Sequence, residues 1–154
     1  MQRRIAAFEQ DQEAHWLARL DCGHTRHTRH DPPLSERPWV LEASQRQARI
    51  GTDLDCAACG RREMPPSYRP YRRTSSFTAE TLPAGLRSRH STKAGTWALI
   101  HVTRGRLRYR LHAPFDEELV LGSGCTGTVL PGVEHEVEPL GEVEFFIEFC
   151  RPPE

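Results

Sequence analysis

The sequence predicts a mainly β protein built of two parts, and three observations predict it. Cysteine and histidine crowd into the first 63 of the 154 residues. A proline-rich stretch, Met64-Pro65-Pro66-Ser67-Tyr68-Arg69-Pro70, follows directly. Beyond it, short apolar runs are punctuated by glycine and proline, and no helical periodicity exceeds two turns. The expected organisation is a Cys/His module over residues 1–63, a linker over 64–70 and a β-barrel over 71–154. The linker is placed where it is because proline removes backbone donors and favours extended chain.

The charge is balanced. There are 21 basic and 21 acidic residues, and residues 1–63 carry ten of each. No basic field draws nucleic acid to the chain. The mean hydropathy of −0.63 and a hydrophobic fraction of 37% are low for one large core, and small units of low apolar content use metals or disulfides instead. No apolar run approaches the roughly 18 residues of a membrane span. Glu9 and Asp11 cut the apolar Ile5–Phe8 short, so neither a membrane segment nor a signal peptide is expected. The expected setting is the cytoplasm, where thiols stay reduced. Five cysteines, odd in number and unevenly spaced, argue against a disulfide framework. Lys93 is the sole lysine in an arginine-rich chain.

In the first part, Ile5–Phe8 and His15–Leu20 flank a polar Gln10–Glu13 and read as a hairpin. Asp31-Pro32-Pro33 and Arg37-Pro38-Trp39 read as irregular chain. Glu42–Ile50 reads as one or two helical turns ended by Gly51. In the second part, Trp97–Val102 reads as a buried strand and Thr103-Arg104-Gly105 as a hairpin turn. The next strand has Leu107, Tyr109 and Leu111 on one face and Arg106, Arg108 and Arg110 on the other. Val129–Val133 reads as a strand, a turn and a strand start. Val143–Cys150 reads as a further strand. Cys125 and Cys150 are expected to be buried small residues.

The chemistry concentrates in Cys22-Gly23-His24-Thr25-Arg26-His27-Thr28-Arg29-His30 and in Cys56-Ala57-Ala58-Cys59-Gly60. A Cys-x-x-Cys-Gly turn aims two thiolates at one ion, with the glycine expected to supply the bend. Zinc takes four nitrogen or sulfur ligands in a tetrahedron. Cys56 and Cys59 supply two, Cys22 a third, and His24 or His27 the fourth. A structural zinc that holds a small unit together is the leading reading. A redox dithiol, or a catalytic zinc using His27 or His30, is the alternative. His27 and His30, beside Arg26 and Arg29, are candidates for a ligand or a second ion, or form a solvated face. The Cys22-x-His24 pair resembles one half-site of a RING-type domain, and that resemblance favours His24 as the fourth ligand. Residues 3 to about 62 resemble a short bacterial family of uncharacterised function. The likeness rests on Phe8-x-x-Asp11, His15-Trp16-Leu17-Ala18, the Cys22–His30 run, Pro32-Pro33, Arg37-Pro38-Trp39-Val40, Ile50-Gly51 and Cys56-x-x-Cys59. It implies no activity.

From about residue 68 to 152 the chain resembles the TehB/YeaR-like family. The likeness is carried by Leu82-Pro83-Ala84-Gly85-Leu86, His90–Trp97, Val102–Leu107 and Pro131-x-x-x-His135-x-Val137-Glu138. The resemblance implies a cupin-like double-stranded β-helix barrel with a link to tellurite or nitrosative stress. It implies His90 and His135 as ligands of a second divalent metal in the barrel. Imidazole suits several divalent ions, so the ion stays open. Many cupins carry a glutamate where Ala98 stands and a second histidine where Lys93 stands, so the full four-residue site is not present. Glu138 and Glu148 are substitute oxygen ligands, although strict alternation puts Glu138 opposite His135. Lys93 and Arg89 are candidates for holding an anion, Lys93 as a point charge and Arg89 as a fork. His101 and His112 read as ordinary strand histidines.

With no S-adenosylmethionine fold after the barrel, methyltransferase activity is not expected. The expected function is a metal-binding protein that binds or senses a small molecule or an oxyanion. The alternative is a small cupin metalloenzyme acting on a small molecule. An adaptor role for the His/Arg face of residues 24–30 is the weakest of the three, since stacking aromatics are missing. Cupin barrels often pair, so the resemblance also implies a homodimer.

Overall fold

The computed structural model describes residues 1–28 and 37–154, and these fall into two compact units, Met1–Arg61 and Arg62–Glu154. His30 lies outside the described residues, as do Arg29 and Asp31–Pro33.

The N-terminal unit is a four-stranded antiparallel sheet in the order β3-β2-β1-β4. Its strands are β1 (Gln2–Gln10), β2 (Trp16–Leu20), β3 (Thr25–His27) and β4 (Asp53–Asp55). The expected first hairpin forms, with Ile5 opposite Leu20 and Gln10 opposite Trp16. Its turn is pinned by Asp11, whose Oδ1 accepts the backbone N–H groups of Glu13 and His15, each at 2.9 Å. This is the Asx-turn chemistry that favours aspartate at such a corner. Helix α1 (Ala43–Arg49) falls within the span expected to be helical. It sends Arg46 over the Trp16 ring at 3.7 Å and Arg49 over the Trp39 ring at 4.0 Å, while Phe8 meets Trp39 edge to face at 5.8 Å. The aromatic residues of the N-terminal motifs are therefore packing residues. The short helix α2 (Ala57–Gly60) follows β4.

The C-terminal unit is mainly β. Its strands are β5 (Arg69–Arg73), β6 (Phe77–Thr78), β7 (Trp97–Leu111), β8 (Glu117–Gly122), β9 (Thr126–Val129) and β10 (His135–Arg151), with one short helix, α3 (Ala84–Arg87). The order β5-β10-β7-β8 forms the main path, with β6 added to β10 and β9 to β7. Arg69 and Pro70, at the end of the proline-rich stretch, already pair with the end of β10.

Here one expectation is corrected. Thr103-Arg104-Gly105 is not a hairpin turn, because β7 runs through it without reversing. The first half of β7 pairs with β9 and the second half with β8, while β10 follows both halves through two register shifts. The strand bends instead of turning back, as strands do where an extra residue interrupts the ladder. Gly105 makes the bend. Its φ is +76°, and a Cβ there would stand 1.9 Å from the Glu142 carbonyl oxygen. Val143–Cys150 is likewise the second half of β10 rather than a separate strand. The bent pair wraps a core of Trp97, Ile100, Leu107, Tyr109, Leu111 and Phe145, all essentially fully buried. The Tyr109 hydroxyl donates to the Thr128 carbonyl at 2.9 Å, which satisfies its one buried polar atom.

Candidate functional site

The N-terminal unit brings two knuckles together. In the first, Leu20 N–H donates to the His24 carbonyl and Gly23 N–H to the Leu20 carbonyl, both at 2.9 Å. Gly23 sits at φ +88°, which lets the chain double back after Cys22. In the second, Cys56 N–H donates to the Met1 carbonyl at 2.8 Å and Cys59 rides on α2. The bend expected at Gly60 is not made there: Gly60 closes α2, and the left-handed glycine of the site is Gly23.

Cys22, His24, Cys56 and Cys59 converge, with one ligand atom from each lying within 4.8 Å of all the others. Cys22 Sγ is 3.4 Å from His24 Nδ1 and 4.0 Å from Cys56 Sγ, and Cys59 Sγ is 3.8 Å from His24 Nδ1. A tetrahedral ion bonded at about 2.0–2.3 Å sets its ligand atoms about 3.3–3.8 Å apart. The set therefore fits one ion, and none of the three thiols is in a disulfide. His27 is not part of it: its ring is exposed, and Nδ1 lies 4.0 Å from Asp11.

All three sulfurs are buried, which opposes three thiolates unless a cation joins them. The cluster divides its protons accordingly. Cys59 is drawn well below the usual thiol range, chiefly because Cys22 hydrogen-bonds to it, with His24 and the Arg3 guanidinium assisting. Cys22, on the other side of that hydrogen bond, is pushed up, and burial pushes Cys56 up. Arg3 is a buried cation near the cluster that sequence reasoning did not single out. It is 6% exposed on β1, and its Nη1 lies 3.9 Å from Asp21 Oδ1. A buried cation beside three thiols offsets their excess negative charge once they ionise.

In the C-terminal unit, His90 and His135 face each other across an antiparallel bridge. His90 N–H donates to the His135 carbonyl at 3.1 Å, and His135 N–H returns the bond at 2.9 Å. Side chains of such a pair share one face, and the two rings are 4.2 Å apart at 57°. Each Nδ1 faces a backbone carbonyl, that of Ser88 at 2.9 Å for His90 and that of Val133 at 3.0 Å for His135. A carbonyl only accepts, so each Nδ1 carries the hydrogen and the neutral ring keeps its lone pair on Nε2. Burial holds His135 neutral by lowering its pKa to about 4.

Both rings line a cavity of about 390 Å³. Ile100, Val129, Val137, Ile147 and Phe149 supply apolar wall, and Lys93, Arg72, Thr92 and Thr96 supply polar groups. The turn that carries Lys93 is shaped by Thr96 N–H donating to the Lys93 carbonyl at 3.0 Å and by the Thr92 hydroxyl donating to the Thr96 carbonyl at 2.7 Å.

The two carboxylates weighed as ligands point elsewhere. Glu138 is mostly exposed and pairs with Arg108, within a lattice in which Glu118 meets Arg110 at 2.7 Å and Arg108 at 3.1 Å. Strand parity sends it away from His135. Glu148 accepts from His101 Nε2 at 2.9 Å and is not among the residues lining the cavity. His101 also stacks on Phe146 at 4.8 Å, so it is a strand histidine with its ring satisfied. Arg89 pairs with Glu134 at 3.7 Å and does not line the cavity either. Cys150 is buried as expected, whereas Cys125 is exposed. Tyr71 and Arg72, on β5, are cavity residues that carried no motif signal in the sequence.

No helix among the described residues is long and apolar enough to cross a membrane. A comparison with curated proteins found no match. Among solved structures, a structural-genomics protein from Escherichia coli K12 is 26% identical, with a TM-score of 0.55. The match covers 60% of this chain and 98% of that one. TehB from Haemophilus influenzae is 24% identical with a TM-score of 0.52, and the match covers 56% of this chain but only 32% of TehB. At that identity it speaks for the fold alone. These likenesses give the C-terminal unit a TehB-like β fold. In family terms, residues 6–63 match the family described as "Protein of unknown function (DUF3565)" and residues 72–147 match the one described as "TehB-like domain".

Proposed function

We propose that the chain is a metal-dependent binding or sensing protein, in which a structural zinc closes the N-terminal unit and the barrel binds a small molecule or oxyanion at a second divalent ion. Three sulfurs and one imidazole at tetrahedral spacing are a donor set that suits zinc and leaves no open position. The observation that carries the barrel half is the His90–His135 pair, whose Nδ1 hydrogens are both engaged by carbonyls inside an amphipathic cavity. Fixing Nδ1 in this way orients a ring to ligate through Nε2. The metalloenzyme alternative needs a carboxylate base at the cavity. Glu138 and Glu148 are engaged elsewhere, which weighs toward binding. The TehB-like resemblance suggests tellurite or nitrosative stress as the setting, by analogy of family alone.

The test is a titration of the full chain with a divalent ion, read by equilibrium dialysis. Two sites are expected: a tight one removed by Cys56→Ser and a weaker one removed by His90→Ala. If saturating ion fills only the cysteine site, the barrel half of the proposal is wrong.

A further inference from the structure

The barrel cavity carries a charge of one sign. Lys93 and Arg72 line it, and no carboxylate does. Elsewhere in the same unit, Arg89, Arg108 and Arg110 are met by Glu134, Glu138 and Glu118. Among the described residues, Lys93 and Arg72 have no such carboxylate. Both come to the same end of the sheet. Arg72 pairs with Phe149 and Phe149 with Ala98, while the turn that holds Lys93 leads into β7 at Trp97. The Arg72 guanidinium lies over the Phe149 ring at 5.8 Å, against the apolar wall. Two cations beside one cleft with low-dielectric walls concentrate anions there.

Size and polarity narrow the choice of anion. A cavity of about 390 Å³ lies within the roughly 300–1,000 Å³ typical of small-molecule sites. An inorganic oxyanion, on the order of two or three waters of about 30 Å³ each, would leave most of it empty. The apolar wall of Ile100, Val129, Val137, Ile147 and Phe149 would go uncovered.

Resting on the reading of the barrel as a small-molecule site, we infer that its ligand is an amphipathic organic anion, a carboxylate carried on an apolar body. Lys93 meets the carboxylate as a point charge and Arg72 as a planar fork, and the apolar body covers the hydrophobic wall. Charge and body are both needed, since either alone leaves half of the lining unmatched. The two cations answer the charge themselves, so binding does not depend on an ion at His90 and His135.

The test is calorimetric titration of the full chain with phenylacetate, with its uncharged isostere phenylacetamide, and with acetate and inorganic phosphate, which lack the apolar body. Phenylacetate is expected to bind about tenfold or more tightly than phenylacetamide and than acetate or phosphate. Lys93→Gln and Arg72→Gln, both at exposed positions that do not threaten folding, should each weaken phenylacetate and leave phenylacetamide unchanged. Full-strength phenylacetate binding to a chain whose barrel takes up no divalent ion would support this ligand class and remove the ion from the reading above. Phenylacetate that binds only once Co²⁺ occupies the barrel would overturn the class and leave that ion standing. Phenylacetamide or phosphate binding as tightly as phenylacetate would overturn the class and keep the barrel as a small-molecule site. No binding by any of the four would overturn both.

Discussion

Among the most deeply buried residues, the N-terminal unit contributes Ile5, Ala18, Leu20 and Val40 beside three cysteines, whereas the C-terminal unit contributes Trp97, Ile100, Leu107, Tyr109, Leu111 and Phe145. The first list has no fully buried aromatic among the described residues, and the second has three. The two units therefore reach stability by different routes. Hydrophobic burial is worth about 25 cal/mol per Å², and a large aromatic buries about 150–250 Å². A sheet with four modest aliphatic residues cannot offset the entropy of ordering some sixty residues that way. A metal ion held by its Cys/His cluster would be the substitute, whereas the barrel can leave two imidazoles and a cavity available for a ligand.

Removing one sulfur should expose this difference most sharply. Structural zinc supplies about 10–16 kcal/mol in small metal-held domains, more than a sheet of this size can hold in reserve. In Cys56→Ser, amide resonances of residues 1–61 should collapse to random-coil positions while those of β7 and β10 stay dispersed. A Cys56→Ser protein whose N-terminal resonances remain dispersed would show that the hydrophobic packing of β1 and β2 suffices, and the contrast would fail.

The barrel should break at its bend. Gly105→Ala puts a methyl into a left-handed residue and within 1.9 Å of the Glu142 carbonyl oxygen. The backbone has to move, at a cost of about 2–4 kcal/mol. A drop of roughly 10 °C or more in the melting of the C-terminal unit is expected, with the metal content of the cysteine site unchanged. A shift of only about a degree would mean that the bend has slack.

How far each unit was legible follows from how local its information is. Cys22-Gly23-His24 and Cys56-x-x-Cys59 each spell out half a metal site within a few residues, and thiol and imidazole have few other reasons to crowd. Their convergence needed no knowledge of the sheet between them. The alternation of Leu107, Tyr109 and Leu111 likewise located a strand. The Gly105 bend was misread because a polar pair followed by glycine looks the same at a reversal and at a bulge. Only the facing residues Pro139–Val143, over thirty positions away, distinguish the two. Glu138 was weighed as a ligand against its own parity, and its partner Arg108 comes from another strand. Tyr71 and Arg72 enter the cavity through the pairing of β5 with β10, which no local pattern announces.

Arg3 was the least legible of all, one arginine among many, and it yields the smallest and most discriminating prediction. With a divalent ion on the cluster, three thiolates and a neutral imidazole would leave one net negative charge in a buried place. Cys22 and then His24 do most to draw Cys59 toward its ionised form, and the buried Arg3 guanidinium adds to them. Partners of this kind typically contribute about 10–100-fold in metal affinity. Arg3→Met keeps much of the side-chain volume and removes the charge. It should leave the metal-loaded fold intact but weaken zinc about 10–100-fold in competition with a chromophoric chelator. Zinc loss on acidification should then begin at higher pH, because weaker binding yields sooner to protons competing for the thiolates. Arg3→Lys restores the charge without the planar fork and should recover part of the affinity. If Arg3→Met binds zinc as tightly as the parent chain, Arg3 is a packing residue of β1, and the cysteine cluster carries its charge unaided.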